Sequence, residues 1–207
     1  MGRRGASIVQ TLPLGLIPNP MATHPKAPRA PSHEQISTAP EVLPDVLQAS
    51  LRAVLCGTAV GTASAKAGAY YAHKQNKFWK ILHDTGLTPA LLSPHQYREL
   101  LRHGIGLTDF VKTHSGMDHQ IPLTKLAEDS RARLRAAMLK FRPAFLAFTS
   151  KTGGQQFLGG PRGYGEQTER IGDTRIWILP STSGAANGSW RPEVWHGFAD
   201  EVRAATK

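Results

Sequence analysis

The chain has 207 residues, of which 40% are hydrophobic, and its 25 Lys and Arg against 15 Asp and Glu give a formal net charge of +10. This length and apolar content suffice for one compact core and exclude two large domains, and the positive charge favours a polyanionic partner such as nucleic acid. The single cysteine, Cys56, excludes an internal disulfide framework and a cysteine-based zinc site, and no stretch reaches the roughly 18–20 apolar residues that cross a bilayer.

Residues 1–45 are rich in proline and almost devoid of aromatic residues, with eight of the 15 prolines of the chain. Such a segment buries too little apolar surface to offset the entropy lost on ordering, so we predict that it is disordered. Residues 1–50 hold four of the 25 basic and three of the 15 acidic side chains, so 21 basic and 12 acidic side chains belong to the rest. We therefore expect one basic folded domain over residues 46–207.

The first residues lack the pattern of a secretory signal. An apolar run over residues 8–17 follows Arg3 and Arg4, but Pro13 interrupts it and no small-residue cleavage site follows. We therefore expect a bacterial cytoplasmic protein that acts at the nucleoid. Met21 is a second candidate for the first residue of the protein.

Strand-like and helix-like patterns alternate from Leu51 to the C-terminus. The predicted strands span residues 51–56, 144–148 and 174–179, and the predicted helices span residues 76–85, 94–103, 123–141 and 192–205. This alternation predicts an α/β fold, a three-layer α/β/α arrangement with a short central, mostly parallel sheet. Since ligands of such sheets bind at the carboxyl ends of the strands, residues 57–61 and 181–188, which directly follow strands, are expected on one rim.

The first of these segments, Gly57-Thr58-Ala59-Val60-Gly61, follows a buried apolar run, as in turns that present backbone N–H groups to a ligand. No Gly-Lys-Ser/Thr follows, so the segment is not a Walker loop. Tyr70 and Tyr71 are expected near the same rim, where a tyrosine ring could stack on a flipped base or simply pack in the core.

Asp109 lies in residues 104–111, a stretch that we interpret as a two-glycine loop running into an apolar pair. One carboxylate beside a sugar can orient a water molecule and stabilise cationic charge at the anomeric carbon, whereas a Thr-Asp pair is also a common helix cap or turn. The histidines show no metal-ligand spacing with Cys, Asp or Glu, so we expect no metal site. Ser181 and Ser183 lack the Gly-x-Ser-x-Gly elbow of a serine hydrolase.

Four sequence blocks follow one another: Gly57-Thr58-Ala59-Val60-Gly61, Tyr71-Ala72-His73-Lys74-Gln75-Asn76-Lys77-Phe78-Trp79-Lys80, the segment 104–111, and Leu179-Pro180-Ser181-Thr182-Ser183-Gly184. They are similar to the motifs Gly-Ile-Asn-Pro-Gly, aromatic-Ala-His-Pro-x-Asn-x-Phe-Trp-Lys, Gly-x-Gly-x-Thr-(Asn/Lys/Asp)-x-Val and Leu-Pro-Asn-Pro-Ser-Gly. On these blocks, from about Arg52 onward, the chain resembles the uracil-DNA glycosylase superfamily, and most closely its mismatch-specific uracil/thymine-DNA glycosylase branch. The resemblance implies the α/β/α fold of that superfamily.

The resemblance breaks at the centre of the first block. Ala59 occupies the position at which the family has the asparagine that positions the attacking water. Two residues are candidates to replace it: Asp109 resembles the catalytic or auxiliary residue of some related glycosylases, and Asn76 matches a catalytic asparagine of the hypoxanthine-excising branch. We rank Asp109 ahead of Asn76, because the same asparagine only shapes the loop in other branches.

The resemblance also implies the remaining site residues. Tyr71 matches the aromatic residue that stacks on the base, and Ser64 matches a position near a DNA phosphate. The implied base-binding residues are Gly57, Thr58, Ala59, Tyr71 and Ser181. The implied DNA-binding residues are Gly61, Ser64, Lys74, Ser183, Gly184, Ala185, Ala186 and Asn187. Where the family often inserts a bulky wedge and an arginine into DNA, this chain has only Ala185-Ala186-Asn187.

The implied function is that of a monofunctional DNA-repair glycosylase, a hydrolase that removes uracil from a flipped-out nucleotide in G·U mismatches or single strands and leaves an abasic site. We expect a DNA partner, a monomer, no membrane partner, and neither a cofactor nor a covalent Schiff base. Three alternatives stay open: a hypoxanthine or xanthine glycosylase, a damage-binding protein that has lost catalysis, and an α/β protein that binds a free nucleotide. Ala59 motivates the first two.

Overall fold

A five-stranded sheet forms the centre of the computed structural model, which describes Gly2 and residues 40–205. The strands are β1 (Ala53–Val60), β2 (Ile105–Ser115), β3 (Phe145–Phe148), β4 (Gly165–Ile171) and β5 (Thr174–Ile178). Their order is β2-β1-β3-β5-β4, and all are parallel except β4, which runs antiparallel to β5 at one edge. The prediction of a mostly parallel sheet is confirmed.

Helices cover both faces of this sheet. The α-helices among the described residues are α1 (Thr62–Ala67), α2 (Phe78–Asp84), α3 (Leu123–Phe141), α4 (Lys151–Leu158) and α5 (Pro192–Ala204). Tighter 3-10 helical segments span Pro94–His103, Asp118–Gln120 and Gly184–Ser189.

Successive side chains of β1 point to opposite faces of the sheet, and each face has its own hydrophobic cluster. Leu55 belongs to the cluster that contains Phe78 of α2 and Trp195 of α5. Cys56 belongs to the other cluster, which contains residues of α3 and α4 such as Phe157. Two helical layers therefore bury against one sheet, which confirms the expected three-layer α/β/α arrangement.

The segment 104–111 is not the expected loop, because from Ile105 onward it forms the first part of β2. Gly106 marks close packing within the strand: a Cβ there would lie 2.8 Å from the carbonyl oxygen of Val46. The segment 57–61 is likewise not the expected turn, because most of it belongs to a strand. β1 continues to Val60, and only Gly61 separates it from α1.

Besides β2, one further strand and two α-helices are absent from the sequence prediction. β4 alternates half-buried and exposed polar residues, so its sequence carries no apolar strand signal. α1 and α4 have six and eight residues, too few to show a helical period, and α4 contains two glycines. Gly154 of α4 is explained by packing, since a Cβ there would lie 2.6 Å from the Ile178 side chain.

Residues 40–46 pack along β2. Val46 pairs with Leu107 through backbone hydrogen bonds of 2.9 and 3.0 Å, and the Val42 N–H donates to the Lys112 carbonyl at 2.8 Å. The segment predicted to be disordered is residues 1–45. Apart from Gly2, its residues 1–39 lie outside the described residues, whereas residues 40–45 pack along β2, and the domain boundary after residue 45 stays a prediction. Within residues 40–205, no helix is long and apolar enough to cross a membrane.

Candidate active site

The carboxyl ends of the parallel strands open into one cleft with a cavity volume of about 830 Å³. This is the end of an open α/β sheet at which ligands bind, and the volume suits a small-molecule site. The four sequence blocks meet in this cleft. Its lining includes residues 57–61 of the first block, Tyr71, His73, Gln75 and Asn76 of the second, Asp109 of the third and residues 181–184 of the fourth.

Asp109 lies on the floor of the cleft, where its Cα partner across the β1–β2 ladder is Gly57. The residue is 3% exposed, and within the described part of the chain no hydrogen-bond donor reaches its Oδ2 atom. A Cβ at position 57 would approach Asp109 Oδ1 more closely than 3.0 Å. The glycine of the first block is therefore needed to admit the carboxyl of the third.

Burial raises the pKa of the Asp109 carboxyl to about 7, because the ionised form loses its hydration there. The Lys112 ammonium opposes this rise, the Asp45 carboxylate adds to it, and the Arg133 guanidinium opposes it. These three groups form an ion-pair network: Lys112 Nζ and Arg133 lie 2.7 and 3.1 Å from the Asp45 carboxylate. A carboxyl that titrates near neutral pH is suited to take a proton from water.

Tyr71 is half-buried and lines the cleft. Its φ of 51° lies in the left-handed region, which is costly for a bulky residue and is often found at functional sites. Phe78 stacks on the ring, with centroids 3.7 Å apart and planes 11° apart. One face of the Tyr71 ring is therefore covered by Phe78.

The Tyr71 hydroxyl is fixed by Thr149. The two oxygens lie 3.0 Å apart, and Thr149 Oγ1 itself donates to the Cys56 carbonyl at 3.3 Å, so Tyr71 is the donor of the first bond. Burial and the negative charge of Asp109 raise the pKa of the Tyr71 phenol well above its ordinary value. The phenol thus stays protonated at neutral pH.

Asn76 and Ser64 both stabilise the loop that carries Tyr71. Asn76 Oδ1 accepts a hydrogen bond from the Phe78 N–H at 3.0 Å, at the start of α2. Ser64 is buried in α1, and its Oγ accepts from the Ala72 N–H at 3.0 Å. Asn76 also lines the cleft, and its carbonyl oxygen, the atom that would orient a water, already accepts this one hydrogen bond.

Thr58 connects β1 to the start of α4. Its Oγ1 lies 2.6 Å from Ser150 Oγ, which also accepts from the Gly153 N–H at 3.0 Å and so caps the helix. Ala59 lines the cleft with a methyl group, so the first block brings no side-chain amide to the site. Gly61 lies at the mouth, where a Cβ would meet nothing within 4 Å.

The segment after β5 forms one rim of the cleft, which we call the β5 rim (residues 181–189). Ser183 begins the 3-10 segment by accepting a hydrogen bond from the Ala185 N–H at 3.3 Å. Gly184 packs against the loop before α2, since a Cβ there would lie 3.0 Å from Gln75 Cβ. Residues of this rim that line the cleft are Ser181, Thr182, Ser183, Gly184, Ala185, Ala186 and Ser189.

Lys74 and Asn187 lie outside the main cleft. Lys74 is exposed and borders a shallow depression next to it. Asn187 Oδ1 accepts from the Lys77 ammonium, which also lies 5.3 Å from the Trp190 ring centroid. The DNA-binding role of both residues stays a prediction.

Several residues around the site are absent from the sequence analysis. Ser150 has a readable signal, because it is a polar cap directly after the apolar run of β3. Asp45 has none, because its partners Lys112 and Arg133 are distant in sequence. Within residues 40–205, no group of three or more His, Cys, Asp or Glu could hold a metal ion.

Comparison with known proteins gives two findings. A family model described as the uracil DNA glycosylase superfamily matches residues 44–199. Among solved structures, the chain is similar to the solution NMR structure of a candidate uracil DNA glycosylase from Methanosarcina acetivorans. That match has 16% sequence identity, covers 78% of this chain and 96% of that chain, and has a TM-score of 0.49.

Proposed function

The chain belongs to the uracil-DNA glycosylase superfamily, and from this premise we propose that it is a monofunctional DNA glycosylase that removes uracil from G·U mismatches or single strands. The observation that carries the proposal is Asp109, a buried carboxyl with an unpartnered oxygen on the floor of the cleft. This carboxyl supplies the polar group that Ala59 lacks in the first block.

The proposed reaction is hydrolysis at C1′ of a nucleotide that has left the base stack. The base stacks on the face of the Tyr71 ring opposite Phe78. The Asp109 carboxylate takes a proton from a water molecule whose oxygen bonds to C1′. The bond between C1′ and the base breaks, and its electron pair leaves with the base. Asp109 then releases its proton to solvent and the base anion takes one up, so that the products are the free base and an abasic site.

Backbone donors of β1 are placed to stabilise the negative charge that develops on the leaving base. β3 pairs with β1 only as far as Cys56, whose carbonyl accepts from the Thr149 N–H. Because backbone groups alternate in direction along a strand, the Thr58 N–H points to the same side, beyond the end of the β3 ladder. One such donor contributes about 3–4 kcal/mol of transition-state stabilisation.

Asp109 is a better candidate than Asn76 for the group that activates water. The Asn76 carbonyl oxygen is held by the Phe78 N–H, whereas Asp109 Oδ2 has no donor within the described chain. We therefore assign Asn76 to the shape of the Tyr71 loop, and Asp109 to the chemistry.

The test is excision from end-labelled oligonucleotides that carry uracil in a single strand, opposite G or opposite A, beside hypoxanthine and xanthine substrates, each followed by alkaline cleavage. We expect uracil to be excised, and Asp109→Ala to lower the single-turnover rate by about 10³-fold. Asn76→Ala should lower the rate by about tenfold at most, because it loosens the Tyr71 loop but leaves the Asp109 carboxylate, the proposed general base, in place. Borohydride should trap no protein on DNA.

A pair of glycine variants tests the geometry around Asp109. Gly57→Ala places a Cβ against Asp109 Oδ1 and should lower the rate by about 10²-fold, because a displacement of about 1 Å is enough for such a loss. Gly197→Ala on α5 is the matched control, since a Cβ there meets nothing within 4 Å and the residue does not line the cleft. Equal activity of the two variants would contradict the proposed position of the carboxyl.

Two other outcomes would replace the proposed function. If hypoxanthine were the best substrate and only Asn76→Ala lost activity, the protein would be a purine-type glycosylase. If no base were released while the protein still bound damaged DNA selectively, Ala59 would mark a damage-binding protein on this fold.

A further inference from the structure

A flipped nucleotide leaves a gap in the base stack, and proteins that open duplex DNA commonly fill such a gap with an apolar side chain. On the β5 rim of this protein, only small or polar side chains stand at the mouth of the cleft, namely those of Ala185, Ala186 and Ser189. None of them has the volume to fill the space of a base. The β5 rim therefore offers no side chain that fills the gap in the base stack.

The opposite rim of the cleft carries a large apolar residue. Among the described residues, the large hydrophobic side chains exposed to solvent are Leu91, Met117 and Leu139, and of these only Met117 lines the cleft. Met117 is 52% exposed, although methionine is normally buried. Met117 is therefore the exposed large apolar side chain that this cleft offers to a ligand within the described residues.

The position of Met117 relative to Asp109, on the floor of the cleft, follows from an irregularity in the pairing of β1 with β2. Ala59 pairs with Val111, but the next β1 residue, Val60, pairs with Ser115. Ser115 consequently lies only three β1 residues beyond the partner of Asp109, about 10 Å along the sheet. Met117 follows two residues later, at the mouth, while Asp109 lies on the floor.

The loop holds the Met117 backbone in place. The Gly116 N–H donates to the Val60 carbonyl at 2.9 Å, which ties the loop to the end of β1. The Met117 N–H donates to Gln120 Oε1 at 2.8 Å, and the Met117 carbonyl accepts from the Gln120 N–H at 2.8 Å. Gly116 has a φ of 145°, and a Cβ there would lie 2.9 Å from Gln120 Oε1, so the loop requires glycine.

We propose that Met117 is the wedge of this protein: its side chain enters the duplex and occupies the gap that the flipped nucleotide leaves. The inference rests on the proposed glycosylase function, and it moves the wedge from the β5 rim to the loop after β2.

The test compares Met117→Ala, Met117→Leu and the control Leu139→Ala in the full chain. Leu139 is 51% exposed on α3 and does not line the cleft. The probe is DNA with a tetrahydrofuran abasic analogue, either in a single strand or in a duplex opposite G, and Kd is measured by fluorescence anisotropy. We expect Met117→Ala to weaken duplex binding by about tenfold and single-strand binding by less than about twofold. Met117→Leu and Leu139→Ala should bind both probes like the wild type.

This measurement does not depend on excision, so it separates the two proposals. If only duplex binding needs Met117 and the wild type releases no base, the wedge stands and the glycosylase function fails. If uracil is released but Met117→Ala binds both probes like the wild type, the wedge fails and the function stands. An equal loss on both probes, or a wild type that does not bind the abasic duplex, also overturns the wedge.

Discussion

At the scale of single residues, Gly57 and Asp109 depend on each other. The carboxyl of Asp109 occupies the space into which a Cβ at position 57 would project, and its Oδ2 atom has no donor within the described chain. A carboxyl in this environment is suited to chemistry and is unfavourable for stability when ionised, because burial removes most of the hydration of its charge. Activity and stability should therefore respond to pH in opposite directions.

The rate of uracil excision and the stability of the fold are expected to change in opposite directions as the pH rises. With a pKa of about 7 in the folded chain, Asp109 must ionise before it can activate water, so the rate of uracil excision should rise about tenfold per pH unit below pH 7 and level off above it. In the unfolded chain the carboxyl has its ordinary pKa of 3.8, so stability is lost as the pH rises from about 4 to about 7. The difference between the two pKa values corresponds to a loss of about 4 kcal/mol in the free energy of unfolding over this pH range.

The measurement is a pH–rate profile together with chemical denaturation of the wild type and Asp109→Asn. The variant, which cannot ionise at this position, should gain about 3 kcal/mol relative to the wild type between pH 5 and pH 8. If the wild-type rate were flat from pH 5 to pH 8, an uncharged group such as Asn76 would be the catalytic one.

At the scale of elements, the stretch of residues 40–46 acts as an additional edge of the sheet. Its backbone pairs with β2 at Val46 and Leu107, and its Asp45 carboxylate accepts from Thr108 Oγ1 at 2.6 Å. The same carboxylate neutralises Lys112, whose side chain is 3% exposed. The segment therefore stabilises the strand that carries Asp109.

The second prediction is that Asp45→Asn destabilises the domain by about 3 kcal/mol, because it leaves the buried Lys112 ammonium without its close counter-ion. For a chain of this size, such a change lowers Tm by about 10 °C. The midpoint of the pH–rate profile should also move to lower pH, because Asp45 contributes to the raised pKa of Asp109.

Glu41→Gln is the matched control for Asp45→Asn. Glu41 lies 3.9 Å from the same ammonium with its side chain 47% exposed, so its removal should change the free energy of unfolding by less than about 0.5 kcal/mol. Equal effects of the two variants would show that the network does not stabilise β2 in the way described.

At the scale of the whole molecule, the net charge of +10 is the feature that concerns a DNA partner. A protein that neutralises DNA phosphates releases counterions, so its affinity falls with salt in proportion to the number of phosphates contacted. A protein that bound only a free nucleotide would show a much weaker dependence.

The third prediction is that log Kd for duplex DNA depends steeply on log salt, and that Lys74→Ala lowers the slope by about 0.9, the contribution of one phosphate. Lys140→Ala is the control. Lys140 is in the last turn of α3, which leads to the amino end of β3, whereas the cleft is at the carboxyl ends of the strands. If the slope of log Kd against log salt were unchanged in Lys74→Ala, Lys74 would not contact a DNA phosphate.

The sequence by itself was sufficient for the alternation of strands and helices, the three-layer class and the order of the four blocks. These features depend on local patterns: apolar runs for β1, β3 and β5, a helical period for Leu123–Phe141, and short motifs around Tyr71 and Ser181. The choice of Asp109 as the first candidate also came from its block, although its position on a strand did not.

Only the tertiary structure decided what surrounds Asp109. Gly57 and Asp109 are 52 residues apart, and Asp45 and Arg133 are 88 residues apart, so strand register and packing alone bring them together. The same holds for Met117, which reaches the mouth of the cleft through the irregularity between Val60 and Ser115. Local patterns do not encode such register, because it results from the packing of the whole core.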